Sequence, residues 1–225
     1  MKNAVKAILL LTLAMTMACT CCVAAADEVS TVIFSDNGLD TPIDGVAFEG
    51  NVLKISQPGA YVLMCELTDG QIAVDCAVDG KVMLVLSGVR VHNEHGPAIL
   101  IGHCAPRAEI SLAKQTENVL SDGKNLVYTD GDEPNGVIFS SSDLTISGSG
   151  SLSVTSGAMD GIVSKDDLKI EDGEITVTSA RHGIRGKDSV MISGGYISIQ
   201  CGDEAIQTVT GCSIQEAVVE FLVKK

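Results

Sequence analysis

The stretch "DGIVSKDDLKI" at 160–170 returns as "HGIRGKDSVMI" at 182–192, displaced by 22 residues. Gly-Ile, Lys-Asp and the closing apolar residue recur in step, and a fixed period of this size leaves a chain few architectures to adopt. Three consecutive segments, 144–167, 168–189 and 190–211, carry the period with lengths of 24, 22 and 22 residues. Each holds a short alternating run, a glycine-containing turn, a second alternating run, another turn and a third run ending in polar residues.

The alternation tells which side chains point inward. Leu168, Ile170, Val190 and Ile192 share one face, and Lys169 and Met191 take the other. Ile175 and Val177 match Ile197 and Ile199 in the next segment. Strict period two over so few residues means short strands rather than helices. Gly148, Gly173, Gly194 and Gly195 punctuate the first turn, as expected where positive φ is needed. The chain is therefore expected to be all-β: a single-stranded parallel β-helix, a solenoid with three short strands per coil. Ile162, Ile184 and Ile206 should stack in one interior column, joined upstream by Ile72, Ile99 and Ile138, with Ile146, Ile170, Ile192 and Ile214 in another. A leucine-rich repeat would show its Leu-x-x-Leu-x-Leu consensus, and a β-sandwich would show closely spaced hairpin turns without the long echo. Neither pattern is present.

Outside the regular coils, 27–55 is expected to form an opening strand or cap, and 56–225 the β-helix domain. Residues 115–136 break the rhythm and read as an inserted loop. The tail "QEAVVEFLVKK" ends without a polar cap, so the last coil reads as truncated, and its open edge is a place for self-association. Lys2 and Lys6 precede "AILLLTLAMTMA", and Ala24-x-Ala26 follows, the layout of a secretory signal peptide over 1–26. A lipid-anchored form modified at Cys19 is the rival. No later segment is apolar enough to span a membrane. Net charge is −14, and removing the leader would delete two lysines and no acid. That sign argues against a nucleic-acid partner. Five cysteines follow the leader, Cys65, Cys76, Cys104, Cys201 and Cys212, an odd number without a CxxC. Cys201 and Cys212 stand where the repeat elsewhere has Ser179 and Val190, so packing is their expected role. His92, His95 and His103 read as turn residues.

Several stretches, "GQIAVD", "VMLVLSGV", "GPAILI", "TENVLSDG", "DEPNGVIFSSSDLTI", "DGIVSKDDLKI" and "HGIRGKDSVMISGGYISI", keep an order over about 50–200 that resembles the bacterial secreted carbohydrate-binding β-helix family. A characterised member of that family binds cellulose and pectin. The resemblance implies a polysaccharide-lyase-like, right-handed β-helix, calcium held by acidic residues, and binding of acidic plant polysaccharide without demonstrated cleavage. The chain departs from the family pattern at Ser141 and Ser142, which replace a Lys and an Asp, and at His182, which replaces an Asp. Beyond Gln200 it drifts away.

The period supplies its own reason to expect a cation. Asp166 and Asp188 would lie on neighbouring coils at the same turn, about 4.8 Å apart. Carboxylates stacked so closely repel unless one is protonated or a cation lies between them. Calcium suits such a site, because it takes several carboxylate and carbonyl oxygens. Asp143 and Asp167 share the next file, while Asp160, His182 and Glu204, with Asp203 beside, line the opposite approach to the same strand. The expected metal set is thus Asp143, Asp160, Asp166, Asp167, Asp188, Asp203 and Glu204; the rival is a solvated acidic edge. Lys165, Lys187 and Arg185 read equally as cationic partners for a uronate carboxylate or as surface ion pairs. Tyr196 is expected to stack on a sugar. A uronate lyase would use a cation together with a Lys or Arg base, but a repeated ladder favours binding over a single catalytic base. The expected function is a secreted, non-enzymatic binder of acidic plant polysaccharide, pectin or polygalacturonate with cellulose as a further candidate, that uses Ca2+; a pectate-lyase-like enzyme and a structural surface adhesin are the alternatives.

Overall fold

The structure, a computed structural model, describes residues 29–102, 107–124, 126 and 133–223. The expected leader, Cys19, His103 and Cys104 lie outside the described residues. Among those described there are strands and turns and no helix, so no helix is long and apolar enough to cross a membrane.

The N-terminal part holds β1 (Val29–Ser35), β2 (Gly38–Leu39), β3 (Val46–Glu49), β4 (Val52–Ile55) and β5 (Gly59–Leu67). Next come β6 (Gln71–Val74), β7 (Val82–Leu86), β8 (Arg90–Asn93), β9 (Ile99–Ile101), β10 (Arg107–Leu112) and β11 (Glu117–Asp122). The middle supplies β12 (Gly136–Ser140), β13 (Asp143–Ser147), β14 (Ser151–Thr155), β15 (Asp160–Ser164), β16 (Leu168–Ile170) and β17 (Glu174–Thr178). Last are β18 (Ile184–Gly186), β19 (Ser189–Ile192), β20 (Tyr196–Cys201), β21 (Ile206–Thr208), β22 (Gly211–Ile214) and β23 (Val218–Val223).

From β6 onward each strand pairs in parallel with the strand three places further along, which makes three files. The first runs β7, β10, β13, β16, β19, β22; the second β8, β11, β14, β17, β20, β23; the third β6, β9, β12, β15, β18, β21. One strand from each file makes a tier. The long β5 pairs with both β7 and β8, which merges the first two files into one 15-stranded sheet beside an 8-stranded one. At the N-terminus β1 lies parallel on β5, and β3 closes antiparallel on β4. The third file already begins at β4, inside the segment expected to form the opening strand or cap.

The register places the expected columns. Leu53, Ile72, Ile99, Ile138, Ile162, Ile184 and Ile206 align across the third file. Leu84, Ile110, Ile146, Ile170, Ile192 and Ile214 align across the first. Most are fully buried, and each such side chain contributes about 1.5–3 kcal/mol relative to exposure. The recurring Gly-Ile also has a steric cause. A Cβ on Gly161 would lie 2.3 Å from Val177 and 2.5 Å from the Gly183 carbonyl oxygen. On Gly183 it would lie 2.3 Å from Ile199 and 2.7 Å from the Ala205 oxygen. Ala205 carries a Cβ at the same place in the last tier, where the matching neighbour, Phe221, is exposed.

Two expectations need correcting. The segment 115–136 is not all loop, because β11 lies within it and pairs with β8 and β14. Its inward residues are Asn118, Leu120 and Asp122, and the two polar ones hid the alternation. They are buried because each is satisfied. The Asn118 side-chain oxygen accepts from Gly88 N and Val89 N at 3.0 and 2.9 Å, and its amide donates to the Ser151 carbonyl. Burial pushes the Asp122 carboxyl above its usual range, while hydrogen bonds from Ser156 Oγ and Gly157 N, with His92 nearby, oppose that rise. The cysteines also divide. Cys201 continues this inner file and is buried, whereas Cys212 aligns with Val190 as expected but is exposed in the last tier. Among the described residues that tier has no strand on its outer side, and Ile214, Val218, Phe221 and Leu222 are exposed.

Gly183→Ala should therefore lower stability by about 2 kcal/mol through overpacking, with Ala205→Gly costing well under half of that. Urea unfolding of both variants checks the pair; equal losses would contradict the steric account.

Candidate functional site

The acidic turn joins the third file to the first. It occupies Lys165–Asp167 between β15 and β16, and Lys187–Asp188 between β18 and β19. Backbone hydrogen bonds hold successive copies in register. Asp188 N donates to Asp166 O at 3.2 Å, Thr210 N donates to Asp188 O at 2.9 Å, and Lys187 N donates to Ser164 O at 3.0 Å. One side-chain file thus reads Ser142, Asp166, Asp188, Thr210. Asp166 and Asp188 are both exposed. Ser164 Oγ ties the turn down by donating to the carbonyls of Ser142 and Asp167, both at 3.0 Å.

Asp143 and Asp167 do meet, in the adjoining file. Asp143 Oδ1 accepts from Asp167 N at 3.2 Å, and Asp167 Oδ1 accepts from Ser189 Oγ at 2.6 Å. Each carboxylate fastens the next tier. Beside them the outer face of the first file forms a groove of about 200 Å³ lined by Arg107, Asp143, Thr145, Asp167, Lys169, Ser189 and Met191. Sequence reasoning assigned Lys169 and Met191 to the outward face but gave no role to that face or to Arg107. Their register with Asp143 and Asp167 was the available signal.

Asp160 and His182 stand at the opposite end of the same strands, and their surroundings differ from an open ligand edge. Asp160 is completely buried. Its Oδ1 accepts from His182 N at 3.1 Å and pairs with His182 Nδ1 at 3.0 Å, while Arg185 Nη1 lies 3.6 Å from Oδ2. The ring's Nε2 faces Gln207 at 3.1 Å and Glu204 at 3.8 Å. Asp160, His182 and Glu204 therefore form one file, as the spacing predicts, but Asp160 Oδ1 is already engaged by His182, while the buried Oδ2 accepts no hydrogen bond among the described residues. Asp203 and Glu204 are exposed beside it.

The four residues expected to meet sugar are dispersed. Lys165 pairs with Glu133 at 2.6 Å, not with Asp166. Arg185 pairs with Asp160, and Lys187 is exposed at the acidic turn. Tyr196 sits on the outer face of the second file, 39% exposed, with its hydroxyl donating to Glu220 at 2.8 Å. That bond to a carboxylate raises the phenol's pKa.

Among the described residues no group of three or more His, Cys, Asp or Glu is arranged to hold a metal ion. Calcium takes about six to eight oxygens. The Asp166–Asp188 step offers two exposed carboxylates, while the carbonyls of both residues already accept hydrogen bonds from the next tier. This donor set fits an ion shared with water and a ligand's own oxygens, not a closed cage.

In the absence of calcium, Asp160→Ala should cost about 3 kcal/mol, because it strands His182 and Arg185 without their acceptor. Asp166→Ala should cost less than about 0.5 kcal/mol. Thermal unfolding in chelator measures both, and similar losses would contradict the contrast in burial.

A family model described as carbohydrate-binding domain-containing protein matches residues 49–219. A protein of Acetivibrio thermocellus described in the same words is 34% identical over 233 residues, spanning 89% of this chain and 81% of its own. A solved structure is similar too: a polysaccharide lyase-like protein from C. thermocellum, studied as a gadolinium derivative. It has a TM-score of 0.74 and 31% identity, with 86% of this chain and 90% of that chain covered.

Proposed function

The chain belongs to the carbohydrate-binding domain-containing protein family, and on that premise we propose that it is an exported, non-catalytic binder of acidic polysaccharide such as polygalacturonate. Its three parallel files are read as the walls of a right-handed parallel β-helix, in keeping with the polysaccharide lyase-like neighbour. One observation carries the functional reading. The Lys-Asp pair is repeated at the same turn of adjacent tiers, Lys165-Asp166 over Lys187-Asp188, beside a groove that carries Arg107 and Lys169.

A uronate polymer presents carboxylates at regular intervals along one chain. Lys187 and Lys169 would meet some of these charges directly, with Lys169 first leaving Glu171, 2.7 Å away. Calcium would join others to Asp166 and Asp188, with the sugar's oxygens filling the positions that the protein leaves open. Binding without cleavage is favoured because the Lys-Asp pair recurs from tier to tier, whereas a catalytic base is needed once. The exposed apolar edge of β21 to β23 is the surface by which we expect copies to associate.

Calorimetric titration with calcium and then with oligogalacturonide tests the reading. The wild type should bind the sugar only with calcium present, and Asp166→Ala with Asp188→Ala should weaken that binding about tenfold or more. Binding unchanged by chelator and by both substitutions would refute it. Unsaturated product appearing in the same mixture would instead identify a lyase.

A further inference from the structure

One outward line of the second file begins with groups that neither the acidic turn nor the groove uses. Register aligns His92 with Ser121, Ser121 with Thr155 and Thr155 with Thr178. The first two tiers thus set an imidazole beside a hydroxyl. His92 Nδ1 meets Ser121 Oγ at 2.9 Å, and His92 Nε2 meets Glu94 Oε2 at 3.1 Å. An ionised carboxylate can only accept, so Glu94 places the ring's proton on Nε2. Nδ1 is then left as a base, and the Ser121 hydroxyl donates to it. Either imidazole nitrogen can act as base when the other carries the proton. Ser121, His92 and Glu94 therefore stand as hydroxyl, base and orienting carboxylate, the arrangement that makes a serine oxygen nucleophilic.

The backbone holds the three in place. Gly70 N donates to His92 O at 2.8 Å, and Glu94 N donates to Asp69 Oδ1 at 3.0 Å. A Cβ on Gly123 would lie 2.3 Å from the Glu94 carbonyl oxygen, so the chain leaving β11 rests directly on the chain leaving β8. His92 and Glu94 are partly exposed, which lets a substrate approach. Thr155 occupies the next tier, about 4.8 Å from Ser121. It is exposed, and its hydroxyl has no hydrogen-bond partner among the described residues. An acyl carbon at Ser121 Oγ can turn its oxygen toward that hydroxyl, which donates as charge develops.

We infer that Ser121, His92 and Glu94 form a nucleophilic triad that hydrolyses short-chain carboxylic esters, with Thr155 steadying the oxyanion. Ser121 Oγ adds to the ester carbonyl carbon while its proton passes to His92 Nδ1. The bond from that carbon to the alcohol oxygen then breaks, and the alcohol leaves with the proton. Water adds to the acyl-serine next, giving its proton to His92 Nδ1. The bond to Oγ breaks, Oγ takes the proton back, and the carboxylic acid leaves. Ester and water thus become acid and alcohol. The site lies on the outer face of a sheet, which offers no channel for a long acyl chain, so acetyl and similar groups are the class it takes. Glycosidic bonds are untouched by this step, so it stands beside polymer binding without cleavage.

Labelling of the full chain with a fluorophosphonate, followed by peptide mass spectrometry, tests the nucleophile without any variant. The label should fall on Ser121. The wild type should also hydrolyse p-nitrophenyl acetate, with Ser121→Ala abolishing the activity and His92→Gln lowering kcat at least about a hundredfold. Thr155→Val should lower kcat by about a hundredfold. Glu94 acts through His92 as a positioning residue, so Glu94→Gln should lower kcat about tenfold with KM unchanged, and Glu94→Asp should restore most of the loss. Ser153→Ala, on the neighbouring line, should behave as the wild type. A wild type left unlabelled or labelled elsewhere overturns the inference, as does hydrolysis that survives Ser121→Ala. If Ser121→Ala also lost calcium-dependent oligogalacturonide binding, the hydroxyl would belong to the sugar site and the inference would equally fall.

Discussion

Parallel backbone pairing between strands three places apart is the interaction from which the other features of this molecule derive. It brings each residue beside its counterpart about one strand spacing away, tier after tier. Apolar counterparts such as Ile162 and Ile184 then share one interior column. Any bulk added at Gly161 or Gly183 meets a fixed carbonyl and a branched side chain, so those positions stay glycine. Polar counterparts obey the same geometry. Asp143 reaches the amide of Asp167, and Asp167 reaches the hydroxyl of Ser189, because the ladder leaves them adjacent.

The same repetition shapes what the surface can do. A groove built for one small molecule needs unlike groups converging on a point, whereas these files present like groups in lines. Lines suit polymers, whose own groups recur along a chain. At the turn between the third and first files the lines are charged, with Asp and Lys side by side. On the second file two lines carry uncharged residues in the middle tiers, Ser153, Thr176 and Ser198 in one and Thr155, Thr178 and Gln200 in the other. A charged line and an uncharged one thus stand on one scaffold, and both follow from the same register.

The interruption at His182 shows how the ladder absorbs a change. An Asp in that place would put three carboxylates in one file, with Asp160 fully buried among them. The imidazole instead supplies a donor to Asp160 and faces Gln207 and Glu204 with its other nitrogen. That end of the strands is therefore an internal polar network and not a stack of acids. Arg185 joins the network instead of standing free for a ligand.

The 22-residue echo and the period-two alternation by themselves determined the strand content, the parallel columns and the alignment of Asp166 over Asp188, because those depend only on residue spacing. The role of β11 escaped that reading, since Asn118 and Asp122 look like surface residues until the backbone amides and hydroxyl they serve are known. Likewise, only the tertiary structure decided that Asp160 is buried, that Lys165 turns to Glu133, and that Arg107 stands beside Asp143 and Asp167. Spacing along a chain fixes which residues are stacked. Which way a long or charged side chain turns at a tier's corner depends on partners brought there by distant loops, and the period carries no record of them.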